Sequence, residues 1–119
     1  MRILVCGGRD YLDYITLSRV LDETVAGLDP DDVTIIQGGA TGADFLAKVY
    51  AYCWGWGGLS CEEYKADWKK YGKGAGLIRN QQMLDKGSPD LVIAFKGGVG
   101  TADMVDRARK AGIEVREVK

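Results

Sequence analysis

The sequence contains no histidine, and this absence excludes several kinds of active site. Its 119 residues include 16 Lys and Arg and 17 Asp and Glu, but no His. Without an imidazole, the chain has no Ser-His or Cys-His nucleophile pair, no histidine general base and no histidine metal ligand. We therefore predict no metal ion in the site, and we expect no cofactor either.

Cysteine and long apolar runs are also scarce. The three cysteines, Cys6, Cys53 and Cys61, form no CxxC pair, and their odd number does not suit a disulfide framework. We expect three small buried thiols in a reducing cytoplasm. No apolar run approaches the ~20 residues of a membrane span, and the first residues form no signal-peptide core. The sequence predicts a cytoplasmic protein with no membrane partner.

Length and charge indicate one ordinary globular domain. A chain of 119 residues with 46% hydrophobic content is close to the usual size and composition of a single domain, here residues 1–119. The formal net charge is -1, which disfavours a broad basic face for extended nucleic acid.

Apolar runs and helical patterns alternate along the whole chain. The runs that we predict as strands are Arg2–Cys6, Val33–Gln37, Ser60–Lys65, Asp90–Phe95 and Ile113–Val118. Helical spacing lies between them over residues 17–28, 46–53, 76–86 and 101–111, and Gly87 and Gly112 follow the last two helices. This alternation predicts an α/β Rossmann-like domain with a five-stranded parallel sheet in the order 3-2-1-4-5 and about four helices on both faces.

Glycine is abundant, with 17 residues against 2 prolines, and it is clustered behind three predicted strands. In a parallel sheet these loops meet at one edge, where unpaired amides of helix N-termini suit phosphate. The alternative is that these glycines only form tight turns between strand and helix, and that Thr41, Asp44, Thr101 and Asp103 cap the helices. Neither GxxxxGK[ST] nor GxGxxG is present. The three clusters are Gly7-Gly8-Arg9-Asp10, Gly38-Gly39-Ala40-Thr41-Gly42-Ala43-Asp44 and Gly97-Gly98-Val99-Gly100-Thr101-Ala102-Asp103.

A basic segment follows the third predicted strand and reaches the same edge. From Lys65 to Arg79 there are five Lys or Arg and one Asp, which is a local charge of +4. Such a focused charge suits a small anion better than a long polyanion. Trp68 or Tyr71 would stack on a base, and Arg79, followed by Asn80, would hold a phosphate. The alternative is a solvated loop anchored by Trp68.

These residues together resemble the SLOG superfamily, specifically its YspA/YpsA-related branch. The resemblance rests on Val5-Cys-Gly-Gly-Arg-Asp-Tyr11, the middle and late glycine clusters, and the run from Ala66-Asp67-Trp68 through Gly72-Lys-Gly-Ala-Gly76 to Arg79-Asn-Gln-Gln-Met83. It spans nearly the whole chain. It implies a single SLOG-like nucleotide-binding domain over residues 1–119, in a branch thought to sense or process nucleotide derivatives.

The same superfamily contains the Lonely Guy phosphoribohydrolases and the DNA-processing protein DprA. The hydrolase motif Arg-Lys-x-x-Met is similar to the run Arg79–Met83, which implies that Arg79 is the catalytic or phosphate-facing arginine. The motif Pro-Gly-Gly-x-Gly-Thr-x-x-Glu is similar to the run Lys96–Met104, but Met104 stands in place of the catalytic glutamate. A thioether cannot replace that carboxylate, so the acid in this chain would be Asp103, or else Asp10 or Asp44.

We therefore expect a module that binds a nucleoside phosphate or an ADP-ribose-like molecule, as a sensor or processing protein. The glycine loops would hold phosphate and a carboxylate would accept the ribose hydroxyls. The first alternative is a hydrolase that cleaves the N-glycosidic bond of a nucleoside monophosphate. The second is single-stranded nucleic-acid binding by the basic, aromatic segment. Related folds form homodimers, so a homodimer or higher homo-oligomer is also expected.

Overall fold

The structure, a computed structural model, describes residues 1–119 and shows strands and helices in regular alternation. The strands are β1 (Arg2–Cys6), β2 (Thr34–Gln37), β3 (Ser60–Glu63), β4 (Leu91–Ala94) and β5 (Glu114–Glu117). The helices are α1 (Tyr14–Val25), α2 (Ala43–Cys53), α3 (Trp68–Tyr71), α4 (Ala75–Gly87) and α5 (Val99–Lys110). Two 3₁₀ turns, Pro30–Asp32 and Gly72–Gly74, complete the elements.

All five strands belong to one parallel sheet in the order β3-β2-β1-β4-β5, which confirms the predicted fold and strand order. The central strand β1 pairs Ile3 with Ile35 on one side and with Leu91 on the other. The carboxyl ends of β1 and β4 adjoin at the centre of the sheet, where the connections from the two strands diverge. Ligands of open parallel sheets usually bind at this position.

The helices cover both faces of the sheet and bury two separate apolar cores. One face packs Ile3, Val5 and Phe95 against α1 and α2, through Leu17, Leu21 and Tyr50 among others. The opposite face packs Leu4, Ile36 and Val92 against α4 and α5, chiefly through Met83, Leu84, Met104 and Val105. Alternate residues of β1 therefore face opposite cores, as side chains of a strand do. This burial holds the loops at the strand ends over a rigid platform.

Three details differ from the sequence-based expectations. Helix α1 ends at Val25, so Leu28 lies beyond it and is exposed. The short helix α3 was not predicted; its N-cap Asp67 accepts a hydrogen bond from the Lys70 amide. Only Cys6 is a buried thiol, and the prediction is wrong for Cys53 and Cys61, which are exposed because they lie at the end of α2 and on the edge strand β3.

No helix of the molecule combines the length and the apolar character that a membrane crossing needs.

Candidate functional site

The three glycine-rich loops converge on one cleft at the carboxyl edge of the sheet. This edge cleft has a volume of about 430 Å³ and is bordered by the loops after β1 and β4, by the start of α2 and by α3–α4. The predicted site residues that line it are Gly7, Gly8, Arg9, Asp10, Asp44, Trp68, Arg79, Asn80, Gly98, Gly100 and Thr101. The cleft is also lined by residues that lie within those sequence motifs but were not predicted to bind the ligand: Cys6, Ala40, Lys73, Gly76, Leu77, Met83 and Val99.

The other predicted site residues, Gly38, Gly39, Thr41, Gly42, Gly97 and Asp103, do not line the edge cleft. Two of them, Thr41 and Gly42, instead contact the backbone of the first loop. The φ of Gly42 is +74°, and a Cβ there would lie 2.5 Å from the carbonyl carbon of Arg9. The Ala43 amide next to it donates to the Gly8 carbonyl at 3.1 Å, and the Thr41 hydroxyl donates to the Arg9 carbonyl at 3.0 Å. Gly42 and Thr41 therefore fasten the first and second loops to each other.

The amino terminus of α5 opens directly into the edge cleft. No side chain caps this end, and its first turn contains no acidic residue. The first amides of the helix have no carbonyl one turn earlier within the helix, so Val99, Gly100 and Thr101 present free N–H groups. A Cβ at Gly98 or Gly100 would meet no atom within 4 Å, so space remains open around these amides. This end of α5 can accept an anion.

The amino terminus of α2, which follows the similar second loop, is less open to an anion than that of α5. The Ala43 amide is taken by the Gly8 carbonyl. The Asp44 carboxylate in its first turn accepts a hydrogen bond from the Ala40 amide at 3.3 Å and lies 7% exposed at the cleft. Burial raises the pKa of Asp44, against the opposing influence of the Ala40 amide and Arg79. The two near-copies in the sequence thus differ: the start of α2 has one bonded amide and a carboxylate in its first turn, whereas the start of α5 has neither.

Arg79 projects from α4 toward the second loop and lines the edge cleft. Its Nη1 donates to the Gly38 carbonyl and its Nε donates to Asn80 Oδ1 at 3.1 Å. A Cβ on Gly38 would lie 2.7 Å from Arg79 Cζ and 2.9 Å from Asp44 Oδ2, so only glycine leaves room for the guanidinium here. Burial lowers the pKa of Arg79, while the nearby Asp44 charge favours its protonated form. Arg79 thus supplies a partly desolvated positive charge without a close salt-bridge partner.

Asn80 and Asp103 connect α4 with the start of α5. Asn80 is 5% exposed, and its Nδ2 donates to the Gly100 carbonyl and to Asp103 Oδ2, each at 3.1 Å. Asp103 also accepts from Arg107 Nε at 2.8 Å and lies outside the edge cleft. The Asn80 side chain therefore makes its hydrogen bonds within the protein. It joins Arg79 to the first turn of α5 and holds the two near each other.

The position of the hydrolase glutamate lies in the interior. Met104 is fully buried among residues of α4, β4 and α5, so its side chain does not reach the cleft. The carboxylates that do line the cleft are Asp10 and Asp44. Cys6 lies on the cleft floor, where burial raises its pKa to about 12, so it is a neutral thiol at physiological pH.

The mouth of the cleft combines positive charge with apolar surface. The Arg9 guanidinium lies over the Trp68 ring, with 5.2 Å from Cζ to the ring centre, and Lys73 lies on the same rim. Trp68, Leu77 and Val99 line the cleft and are still well exposed. No group of three acidic, cysteine or histidine side chains is arranged to share a metal ion. The site thus offers amide donors and an arginine inside, and flat apolar surface outside.

Two comparisons with known proteins show which family the chain resembles. A family model described as YspA, cpYpsA-related SLOG family matches residues 1–71, which comprise the first two glycine loops and α3. The Gene 61 protein of Mycobacterium phage D29 is 35% identical over 122 residues, an alignment that covers 96% of this chain and 93% of the phage protein. The similarity therefore extends beyond the matched family segment to the third loop and α5.

Proposed function

Since this chain belongs to the YspA, cpYpsA-related SLOG family, we propose that it binds a nucleotide or a nucleotide-derived ligand in the edge cleft. Membership of this family is consistent with a nucleotide-related function. The proposal adds a location and an orientation for the ligand, argued from the residues of the cleft.

The observation that carries the proposal is the free amino terminus of α5 beside Arg79 in one cleft. Amides of a helix N-terminus bind phosphate well, and a partly buried guanidinium gains most from an anion that also satisfies its N–H groups. Lys73 and Arg9 add positive charge at the rim. A phosphate would therefore lie against Val99, Gly100 and Thr101, with Arg79 on its other side.

The rest of the cleft suits a nucleoside. A volume of about 430 Å³ falls in the usual range for small-molecule sites, roughly 300–1,000 Å³. The exposed faces of Trp68, Leu77 and Val99 offer a stacking surface for a base. Asp10 and Asp44 are carboxylate acceptors at the cleft wall, suited to ribose hydroxyls. The ligand of this proposal is a nucleoside phosphate or an ADP-ribose-like molecule.

The direct test is calorimetric titration with the common nucleoside monophosphates, ADP-ribose and inorganic phosphate. We expect at least one nucleotide to bind more tightly than phosphate alone, because the base adds contacts at the mouth. Arg79→Gln should weaken that affinity by about tenfold or more, through loss of a charged hydrogen-bond donor. The matched control is Arg19→Gln, on the exposed face of α1, which should leave the affinity unchanged.

A thermal-shift screen provides a second measurement, since a ligand that binds only the folded state must raise its stability. If no nucleotide raises the melting temperature at millimolar concentration, the proposal is wrong. It is also wrong if Arg19→Gln and Arg79→Gln weaken binding equally, because binding would then follow overall charge rather than the cleft.

Asp44 supports hydrolysis of an N-glycosidic bond as a second candidate function. It is a nearly buried carboxyl in the cleft, and its raised pKa suits an acid-base group. Incubation with the nucleoside monophosphate that binds best, followed by chromatography for free base, tests this activity. Release of base that Asp44→Asn abolishes, while the nucleotide still binds, would establish it; absence of free base would leave binding alone as the function.

A further inference from the structure

A second cavity lies on the other side of the α5 amino terminus. It has a volume of about 480 Å³, opens to solvent, and is bordered by the end of β4, by the first turns of α5 and by residues 117–119 at and after the end of β5. We call it the tail cavity. Its lining residues are Ala94, Phe95, Lys96, Gly97, Gly98, Thr101, Ala102, Val105, Glu117, Val118 and Lys119.

The two cavities share Gly98 and Thr101 as lining residues, so they adjoin at the amino terminus of α5. Gly98 has no side chain, and a Cβ at this position would meet no atom within 4 Å. The Thr101 hydroxyl makes no hydrogen bond within the protein, and the Thr101 amide belongs to the free first turn of α5. A phosphate group on these amides would therefore lie next to both cavities.

The chemistry of the tail cavity differs from that of the edge cleft. Its walls are mainly apolar, formed by Phe95, Ala102, Val105 and Val118. The carboxylate of Glu117 is paired with Arg109 at 2.9 Å, whereas Lys96 and Lys119 have no salt-bridge partner. Apolar walls below a positive rim suit a planar ring system that is attached to phosphate.

Building on the proposed function, we propose that the ligand is a dinucleotide that straddles the amino terminus of α5. One nucleoside occupies the edge cleft, the pyrophosphate lies on the amides of Val99, Gly100 and Thr101, and the second nucleoside occupies the tail cavity. The volumes of about 430 and 480 Å³ each accommodate one nucleoside.

Three ligands with the same base separate the contributions of the first nucleoside, the pyrophosphate and the second nucleoside to the affinity. They are the nucleoside monophosphate that binds best, the corresponding nucleoside diphosphate, and the symmetric dinucleotide in which a pyrophosphate joins two such nucleosides. We expect the dinucleotide to bind about tenfold more tightly than the diphosphate, because it buries a second ring against apolar side chains. Ala102→Trp fills the tail cavity from an exposed position and should abolish this advantage, with mononucleotide affinity unchanged.

The matched control is Ala111→Trp, at the exposed far end of the same helix, which should preserve the advantage of the dinucleotide. If the monophosphate binds but the dinucleotide binds no better than the diphosphate, the inference is overturned while the proposed function stands. An advantage that survives Ala102→Trp overturns it as well. Failure of all three probes to bind would overturn both proposals.

Discussion

The substitution Gly38→Ala places a methyl group in the space that the Arg79 guanidinium occupies. The new Cβ would lie 2.7 Å from Arg79 Cζ and 2.9 Å from Asp44 Oδ2, both well inside normal contact distance. Gly38 is not among the glycines with left-handed backbone, so alanine itself suits the local conformation. We therefore expect the strain to be relieved by movement of the Arg79 guanidinium and the Asp44 carboxylate rather than of the loop.

Two effects on stability oppose each other in this variant. Loss of the hydrogen bond from Arg79 to the Gly38 carbonyl costs about 1.5–3 kcal/mol, as is usual for a charged donor. Alanine also lowers the conformational entropy of the unfolded chain, which stabilises the folded state by about 0.4–1 kcal/mol. We expect a net loss of about 1–2 kcal/mol in the free energy of unfolding, and a ten- to hundredfold weaker affinity for the nucleotide.

Chemical denaturation and calorimetric titration of the same samples provide both quantities. The control is Gly57→Ala, where a Cβ meets no atom within 4 Å and the backbone is not left-handed. It should change the free energy of unfolding by no more than about 0.5 kcal/mol and the affinity not at all. Wild-type affinity in Gly38→Ala would show that the guanidinium does not need this position, and the description of the anion site would be refuted.

Further predictions concern the neighbouring residues. Gly42→Ala should destabilise the protein by roughly 3 kcal/mol or more in thermal or urea unfolding, because φ is +74° and backbone atoms of Arg9 block the Cβ; unchanged stability would contradict the packing of the two loops. Met104→Glu should unfold or strongly destabilise the chain by circular dichroism rather than create a hydrolase, since this position is fully buried. Iodoacetamide at pH 8 should alkylate Cys53 and spare Cys6 in the folded protein by mass spectrometry, because Cys6 is buried and its pKa is about 12; rapid labelling of Cys6 would contradict its burial. The pKa of Asp44 is higher in the folded than in the unfolded protein. Its contribution to the free energy of unfolding therefore falls as pH rises from the ordinary aspartate pKa through the raised one. Asp44→Asn should remove this pH dependence of the free energy of unfolding, measured by urea titrations at a series of pH values.

The fold could be predicted from the sequence because its central strands carry a strong signal. Buried parallel strands such as β4 are continuous apolar runs, and the predicted Asp90–Phe95 differs from the observed Leu91–Ala94 by one residue at each end. The predicted β5, Ile113–Val118, differs from the observed Glu114–Glu117 by the same margin. The predicted β3, Ser60–Lys65, runs two residues past the observed end at Glu63, because this exposed edge strand contains polar residues that give little contrast with the following loop. Helix α3 has only four residues, too few for a helical pattern to emerge from the sequence.

The sequence was enough to predict where the candidate site lies, but not which side chains contact each other within it. Parallel strands bring their following loops to one edge, so the convergence of the glycine clusters followed from the topology alone. The second and third clusters are near-copies, but the sequence did not show that the Asp44 carboxylate bonds the Ala40 amide at the cleft, whereas that of Asp103 bonds Asn80 and Arg107 outside it. That difference depends on side-chain packing between elements far apart in the chain.

The position of the phosphate is the central claim, and amide chemical shifts measure it most directly. In a ¹⁵N-labelled sample titrated with the mononucleotide that binds best, the largest shifts should fall on Val99, Gly100 and Thr101, with the Arg79 side-chain Nε–H moving in parallel. The amides at the start of α2 should move far less, because the Gly8 carbonyl already takes the Ala43 amide and the Asp44 carboxylate disfavours an anion there. Largest shifts at Gly42–Asp44, or at the opposite edge of the sheet, would contradict the account.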